Sequence, residues 1–123
     1  MISIKGTNIT MNRSDSVFIT VTVRDSQGRI YDLQEFDELI FSAKKKSTDE
    51  NYAIAPKPLI RKKAEDGDYH VGVLEISTAD TEHLAFGTYL YDVRLKTVQG
   101  YSSTIIKPSN LVIEESITGA GDY

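Results

Sequence analysis

The sequence predicts an all-β domain, an antiparallel β-sandwich of 7–8 short strands with one short helical turn near residues 78–85. Three observations carry this reading. Runs of β-branched and aromatic residues alternate with period two. Turn residues recur about every 8–12 positions, the spacing of short hairpin-linked strands. Only one segment carries the chemistry of a helix start. A closed barrel is the alternative that the same pattern allows. At 123 residues the chain has the length of one domain, and such a domain hides roughly two-thirds of its unfolded surface. The expected division is a sandwich over 1–116 and a flexible tail over 117–123, where Gly119-Ala120-Gly121-Asp122-Tyr123 offers nothing to pack.

The elements follow in order. Asn8 to Met11 is a short opening strand, set off by the polar stretch 12–16. Val17 to Val23 is the clearest strand: Val17, Ile19, Val21 and Val23 alternate with Phe18, Thr20 and Thr22. It ends in a turn over Asp25 to Arg29, where Gly28 accepts positive φ. Glu38 to Lys46 places Leu39, Phe41 and Ala43 on one face and Ile40, Ser42 and Lys44 on the other. Tyr52 to Lys63 contains Pro56 and Pro58, which lack amide donors, so it reads as an edge strand or a loop. After the turn Asp66-Gly67-Asp68, Tyr69 to Ile76 is a strand whose parity changes. Tyr69, Val71 and Val73 share one face and Leu74 and Ile76 the other, which implies a bulge or two partly covered faces.

Ser77 to Phe86 is the helical candidate. Ser77 or Thr78 can cap it, and Asp80 and Glu82 sit where a helix start favours negative charge. Gly87 stops it. Thr88 to Thr97 alternates as a strand, Gln99-Gly100 is a hairpin turn, and Tyr101 to Lys107 returns until Pro108 breaks it. Leu111 to Glu115 is the last strand. The expected core is Val17, Ile19, Val21, Val23, Leu39, Phe41, Val71, Leu74, Ile76, Leu84, Tyr89, Tyr91, Val93 and Ile105.

Composition removes whole classes of function. A net charge of −4 argues against nucleic acid, whose phosphates need a basic face. No apolar run approaches the roughly 20 residues of a membrane span, and residues 1–10 lack the apolar stretch of a signal peptide. The chain has no Cys, so no disulfide, thiolate metal site or Cys nucleophile is available. That absence fits a reducing cytoplasm and an extracellular setting equally. His70 and His83 stand one per segment and read as solvated surface residues. Glu65 to Asp68 lacks the spacing of a calcium loop and reads as a plain turn. Asp80, Glu82 and Asp92 make no recognisable acid pair. There is no G-x-S-x-G, no P-loop and no G-x-G-x-x-G; Gly119 to Gly121 is only a weak echo of a glycine loop. The expectation is no catalytic residue, no metal, no cofactor and no enzyme.

Two basic runs, Lys44-Lys45-Lys46 and Arg61-Lys62-Lys63, would form one patch if their strands paired; otherwise they keep strand ends soluble. Tyr89 opens a strand just after Leu84 and Gly87, an arrangement that looks like the tyrosine corner of Greek-key sandwiches. In such a corner the phenol bonds back to nearby backbone.

Several segments together resemble one family. Asn8-Ile9-Thr10-Met11-Asn12-Arg13-Ser14-Asp15-Ser16 is similar to an I-T-L-x-R-G-D-T/S opening, with Ser14 in place of the Gly. Asp25-Ser26-Gln27-Gly28 with Tyr31-Asp32-Leu33 resembles D-x-x-G-x-x-Y-D-L, and Phe41 to Lys45 resembles F-x-V-K-K. Asp80 to Leu84 followed by Gly87 to Val93 is similar to D-T-x-x-L-x-x-G-x-Y-x-Y-D-V. Gly100, Thr104 to Pro108 and Leu111 to Ile113 resemble G-x-x-x-T-x-I-x-P-x-x-F-x-V. The ordered set spans about residues 4–115 and resembles immunoglobulin-like domains of phage tail and baseplate proteins, in particular the N-terminal domain of baseplate upper proteins of siphophages of Gram-positive bacteria.

The resemblance implies an immunoglobulin-like sandwich and a virion structural protein that docks against other tail or baseplate subunits, assembled in the bacterial host cytoplasm. It implies no catalytic residues. Self-association is left open; no membrane or nucleic acid is expected. With Trp and Cys both absent, Tyr91 stands where antibody-type domains carry a Cys. The partner contacts expected are Tyr52, Tyr101, Tyr123 and Lys44, Lys45 and Lys46, with Tyr89, Leu84 and Gly87 as structural residues. The alternative function is a carbohydrate-binding or adhesin module on a cell surface.

Overall fold

Alternation along the strands sorts the chain into two layers. The computed structural model describes residues 3–25 and 27–115; the expected tail, with Tyr123, lies outside them. The strands are β1 (Ser3–Lys5), β2 (Asn8–Asn12), β3 (Val17–Thr22), β4 (Glu38–Lys44), β5 (Ile54–Pro58), β6 (Ile60–Lys62), β7 (Val71–Ile76), β8 (Gly87–Lys96) and β9 (Ser102–Glu114). One short helix, α1 (Thr78–Thr81), joins β7 to β8. The larger sheet has the order β1-β2-β9-β8-β4-β5, and the smaller one β3-β7-β6. The molecule is an all-β sandwich. Placing β3, β6 and β7 in one sheet and β4, β8 and β9 in the other is the Greek-key partition of an immunoglobulin-like fold.

Several details differ from the sequence expectation. Nine strands form among the described residues, rather than seven or eight, because β1 and β6 are three-residue strands and the 52–63 segment splits in two. Pro56 and Pro58 stand on the β5 edge, and the chain then crosses at Leu59, whose amide donates to the Leu39 carbonyl at 2.8 Å. From there β6 belongs to the opposite sheet. One pairing is parallel: β2 runs beside the end of β9, with Ile9 opposite Leu111 and Met11 opposite Ile113. Two strands from opposite ends of the chain need no tight turn, so a parallel ladder is accessible to them.

The parity change in β7 involves no bulge. Its inward residues are Gly72, Leu74 and Ile76, and Val71 and Val73 face outward, so Val71 is not a core residue. Leu39 fills the space in front of Gly72; a Cβ there would lie 2.6 Å from Leu39 Cδ1. Pro108 does not break the last strand. Lys107 and Pro108 together oppose the single residue Asp92, a bulge that absorbs the missing donor, and a second bulge follows at Ile105. The helix is one turn long, not a run to residue 85, because Leu84 turns into the core and the chain must then reach β8.

Phe41 is fully buried at the centre of β4, and its ring meets that of Tyr91 at 5.5 Å and 40°. Tyr91 is itself buried and its hydroxyl donates to the Thr7 carbonyl; burial raises the phenol above its ordinary pKa. Ile19 and Ile105 pack against the core only in part. Ile9, Met11, Leu111 and Ile113 are fully buried contributors beyond the expected set, with Leu33, Ala43, Ile54, Leu59 and Leu95.

Tyr89 is buried and donates to the carbonyl of Ala85 at 2.7 Å, tying the corner between α1 and β8. Tyr89→Phe is expected to lower stability by about 1 kcal/mol, through one lost hydrogen bond and one unpaired acceptor. An unshifted urea midpoint would show that the corner holds nothing. Gly72→Val forces a branched side chain into space that Leu39 and Leu59 occupy. It is expected to cost about 1–3 kcal/mol by overpacking, read from thermal unfolding.

Candidate functional site

The sandwich has two poles. At one, β4 begins beside the end of β8, with Glu38 opposite Lys96. The loop 23–37, the loop 63–70 and the hairpin 97–101 all gather there. At the other lie the turn 13–16, the loop 45–53, α1 and the exit of β9. Of the eight exposed large apolar residues among the described ones, Ile30, Phe36, Val98 and Tyr101 stand on two of the three loops of the first pole. Phe36 and Val98 are the most open of the four, at 72 % and 65 %.

Polar side chains stiffen these loops. The Asp25 carboxylate accepts from the amides of Gln27 and Arg29 at 2.9 and 3.0 Å, and those amides, the Arg29 amide first, hold it below the usual carboxylate range. The Tyr31 hydroxyl donates to Asp37 at 2.9 Å. Burial, that carboxylate and the nearby Tyr101 raise the Tyr31 phenol. These bonds hold the loop that carries Ile30 and Phe36, while the Tyr101 amide donates to Thr97 Oγ1 at 3.1 Å and closes the hairpin that carries Val98 and Tyr101. Such fixed loops lower the ordering cost of a contact.

The expected contact residues do not form one surface. Lys44 and Tyr52 come together at the second pole, the ammonium 4.8 Å above the ring. With Ser42, Asp92 and Arg94 they line an open trough of about 230 Å³ on the outer face of the larger sheet. The Asp92 carboxylate has no hydrogen bond or ion pair to the side chain of any described residue there. Lys45 turns away, resting 4.7 Å over the Tyr89 ring and donating to the Thr88 carbonyl at 3.1 Å. Gly87, at φ 137°, keeps that space open; a Cβ would meet the ammonium at 2.8 Å. Lys46 is exposed in the following loop. Tyr101 stands at the opposite pole.

The two basic runs do not merge. Arg61 belongs to β6 in the smaller sheet, where its guanidinium covers Tyr69 at 3.7 Å. Lys44 and Lys45 lie over Tyr52 and Tyr89, and Arg61 and Lys63 lie over Tyr69. His83 is exposed, whereas His70 is not a solvated side chain: it is 13 % exposed, with Nδ1 3.4 Å from Asp32 and Nε2 3.7 Å from Asp66. Folding brings the loops around it, which single-residue reading could not place. Among the described residues no group of three or more metal-ligating side chains comes together. The apolar loop residues Ile30, Phe36 and Val98 escaped the sequence reading because period-two analysis looks for runs; their signal is an apolar residue beside a turn. Comparisons of the chain with protein-family models, with curated proteins and with solved structures find no match.

At the second pole Asp80 closes the start of α1. Its Oδ2 accepts from the amide and hydroxyl of Ser77 at 2.8 and 3.1 Å and from Lys57 at 2.6 Å. Burial pushes this carboxyl up, but the ammonium and the Ser77 donors outweigh it and hold it below its ordinary value. The stability it contributes is therefore complete above the unfolded carboxylate pKa of about 3.9, and it is lost as pH falls through the lower folded value. Asp80→Asn is expected to reduce stability at neutral pH by about 1 kcal/mol, the scale of a lost cap. That gap should narrow as melting is repeated at pH values progressively further below the unfolded carboxylate pKa.

Proposed function

We propose that this chain is a docking module of a phage or prophage virion, a baseplate or tail component that binds other virion subunits and performs no reaction. The observation that carries the docking reading is the fixed pole bearing Ile30, Phe36, Val98 and Tyr101. Apolar and aromatic side chains on stiff loops are what the centre of a protein interface needs.

The likeness to the phage domains is supported by where the motif residues fall. Ser14 is the one described non-glycine residue with left-handed backbone, at φ 72°, and it stands where the resembled motif carries Gly. Its amide donates to Thr81 and its carbonyl accepts from Thr78, so the turn is tied to α1. Asp25, Gly28 and Tyr89 likewise occupy the turn and corner that their motifs require.

A second reading, a carbohydrate-binding module, draws on the trough. Tyr52 offers a ring face, and Asp92, Ser42 and Arg94 offer polar groups beside it.

The test is incorporation of tagged protein into purified particles. The wild-type chain is expected to co-purify with tail proteins. Phe36→Asp with Val98→Asp should reduce incorporation at least about tenfold, a loss of about 1.4 kcal/mol or more, with unchanged melting. Absence from particles, together with glycan binding that Tyr52→Ala abolishes, would replace the first reading by the second.

A further inference from the structure

Each sheet of an open sandwich leaves edges whose unpaired amides and carbonyls invite another strand, and natural sequences blunt them. Four edge segments here are blunted. The edge strand β5 carries Pro56 and Pro58, and β6 is three residues long with Arg61 and Lys62. β1 has three residues, and the part of β9 beyond β2 carries Lys107, Pro108 and two bulges. The fifth, the outer edge of β3, has none of these devices. Val17–Thr22 reads VFITVT, six residues without a charge, Pro or Gly, and no described strand pairs with its outer side.

The register tells which groups that edge presents. Val23 donates to the His70 carbonyl at 2.9 Å, and the ladder pairs Val21 with Gly72, Ile19 with Leu74 and Val17 with Ile76. Because hydrogen-bonded pairs alternate along an antiparallel ladder, Val17, Ile19 and Val21 bond towards β7. The amides and carbonyls of Phe18, Thr20 and Thr22 therefore point outward. These three groups are symmetric about Thr20. A second copy, turned by a two-fold axis, sets Thr20 against its own equivalent and Phe18 against Thr22. Thr–Thr and aromatic–β-branched pairs are both favourable across strands.

Charge agrees with this occupant. The chain carries −4, yet residues 16–23 hold no charge, so two copies meet there without like charges opposed along the ladder. The outer face adds continuity: Thr20, Val73 and Ile60 form one row, and Phe18 beside it is 68 % exposed. We infer that β3 is a self-pairing edge, and that a second copy of this chain adds its own β3 antiparallel about Thr20, joining two three-stranded sheets into one of six. A six-residue ladder with one aromatic flank is small beside the roughly 1,200 Å² of a stable interface, so the dimer is weak and concentration-dependent. This pairing does not rest on the virion reading.

Sedimentation of the purified chain from about 10 μM to about 1 mM covers the range in which so small an interface associates. The expected result is a dimer fraction that rises with concentration and disappears in Thr20→Lys, a variant that places like charges opposite each other yet suits a free edge. Its melting should match wild type. Since the chain lacks Cys, a nitroxide on Thr20→Cys gives an independent readout. Opposite Cβ atoms about 5 Å apart broaden its spectrum strongly, and a label on Glu50→Cys stays sharp. A chain monomeric throughout, a dimer indifferent to Thr20→Lys, or an unbroadened label overturns the proposal. So does a monomer whose Thr20→Lys form alone fails to enter particles, since the edge would then serve a strand from another protein.

Discussion

The contact between Phe41 and Tyr91, on neighbouring strands of the larger sheet, anchors the buried face on which the sandwich is built. With no Cys and no Trp in the chain, nothing covalent or bicyclic joins the sheets. Cohesion has to come from apolar area removed from water and from close packing. Phe41 occupies the middle of β4 and Tyr91 the middle of β8, and the Tyr91 hydroxyl reaches Thr7, ahead of β2. One ring pair thus links the centre of the larger sheet to the turn between β1 and β2 at its edge. Leu39 on the same strand then fills the slot that Gly72 leaves, so β4 engages both layers.

From that centre the sandwich divides its labour between poles. The second pole is tied by polar contacts over long sequence separations: Ser14 with Thr81 and Thr78, and Lys57 with Asp80. The first pole is held by short-range turns such as Asp25 with Arg29 and Tyr31 with Asp37, and it exposes apolar side chains. The proposed docking function rests on that frame and its exposed apolar loops. Fold by itself does not choose a partner, so that reading leans on the loops and on the phage-like motif order.

Edges are the second constraint. A sandwich made of open sheets is soluble only while its free ladders are unattractive. Proline, lysine, bulges and short length perform that task on four edge segments here, each by removing a donor, adding charge or interrupting register. β3 combines an uninterrupted six-residue free ladder with an exposed Phe18 on its outer face, and no described strand pairs with its outer side.

What the residues alone determined is the part governed by local physics. Period-two alternation marked β2, β3, β4, β7 and β8, because side chains on a pleated strand face opposite sides whatever the partner is. The spacing of Leu84, Gly87 and Tyr89 marked the corner, because a buried phenol needs an acceptor and the chain that turns into the strand supplies one four residues upstream. Tertiary structure alone decided the rest. Which parity of β7 faces inward depended on Leu39, 33 positions earlier, occupying the space at Gly72. Pro108 became a bulge because Asp92 stood opposite it, and the 52–63 segment split because β4 and β7 each offered it an edge. The basic runs were separated and His70 was enclosed by the same cause: partners distant in sequence meet only when the sheets stack, and no local pattern records which ones will.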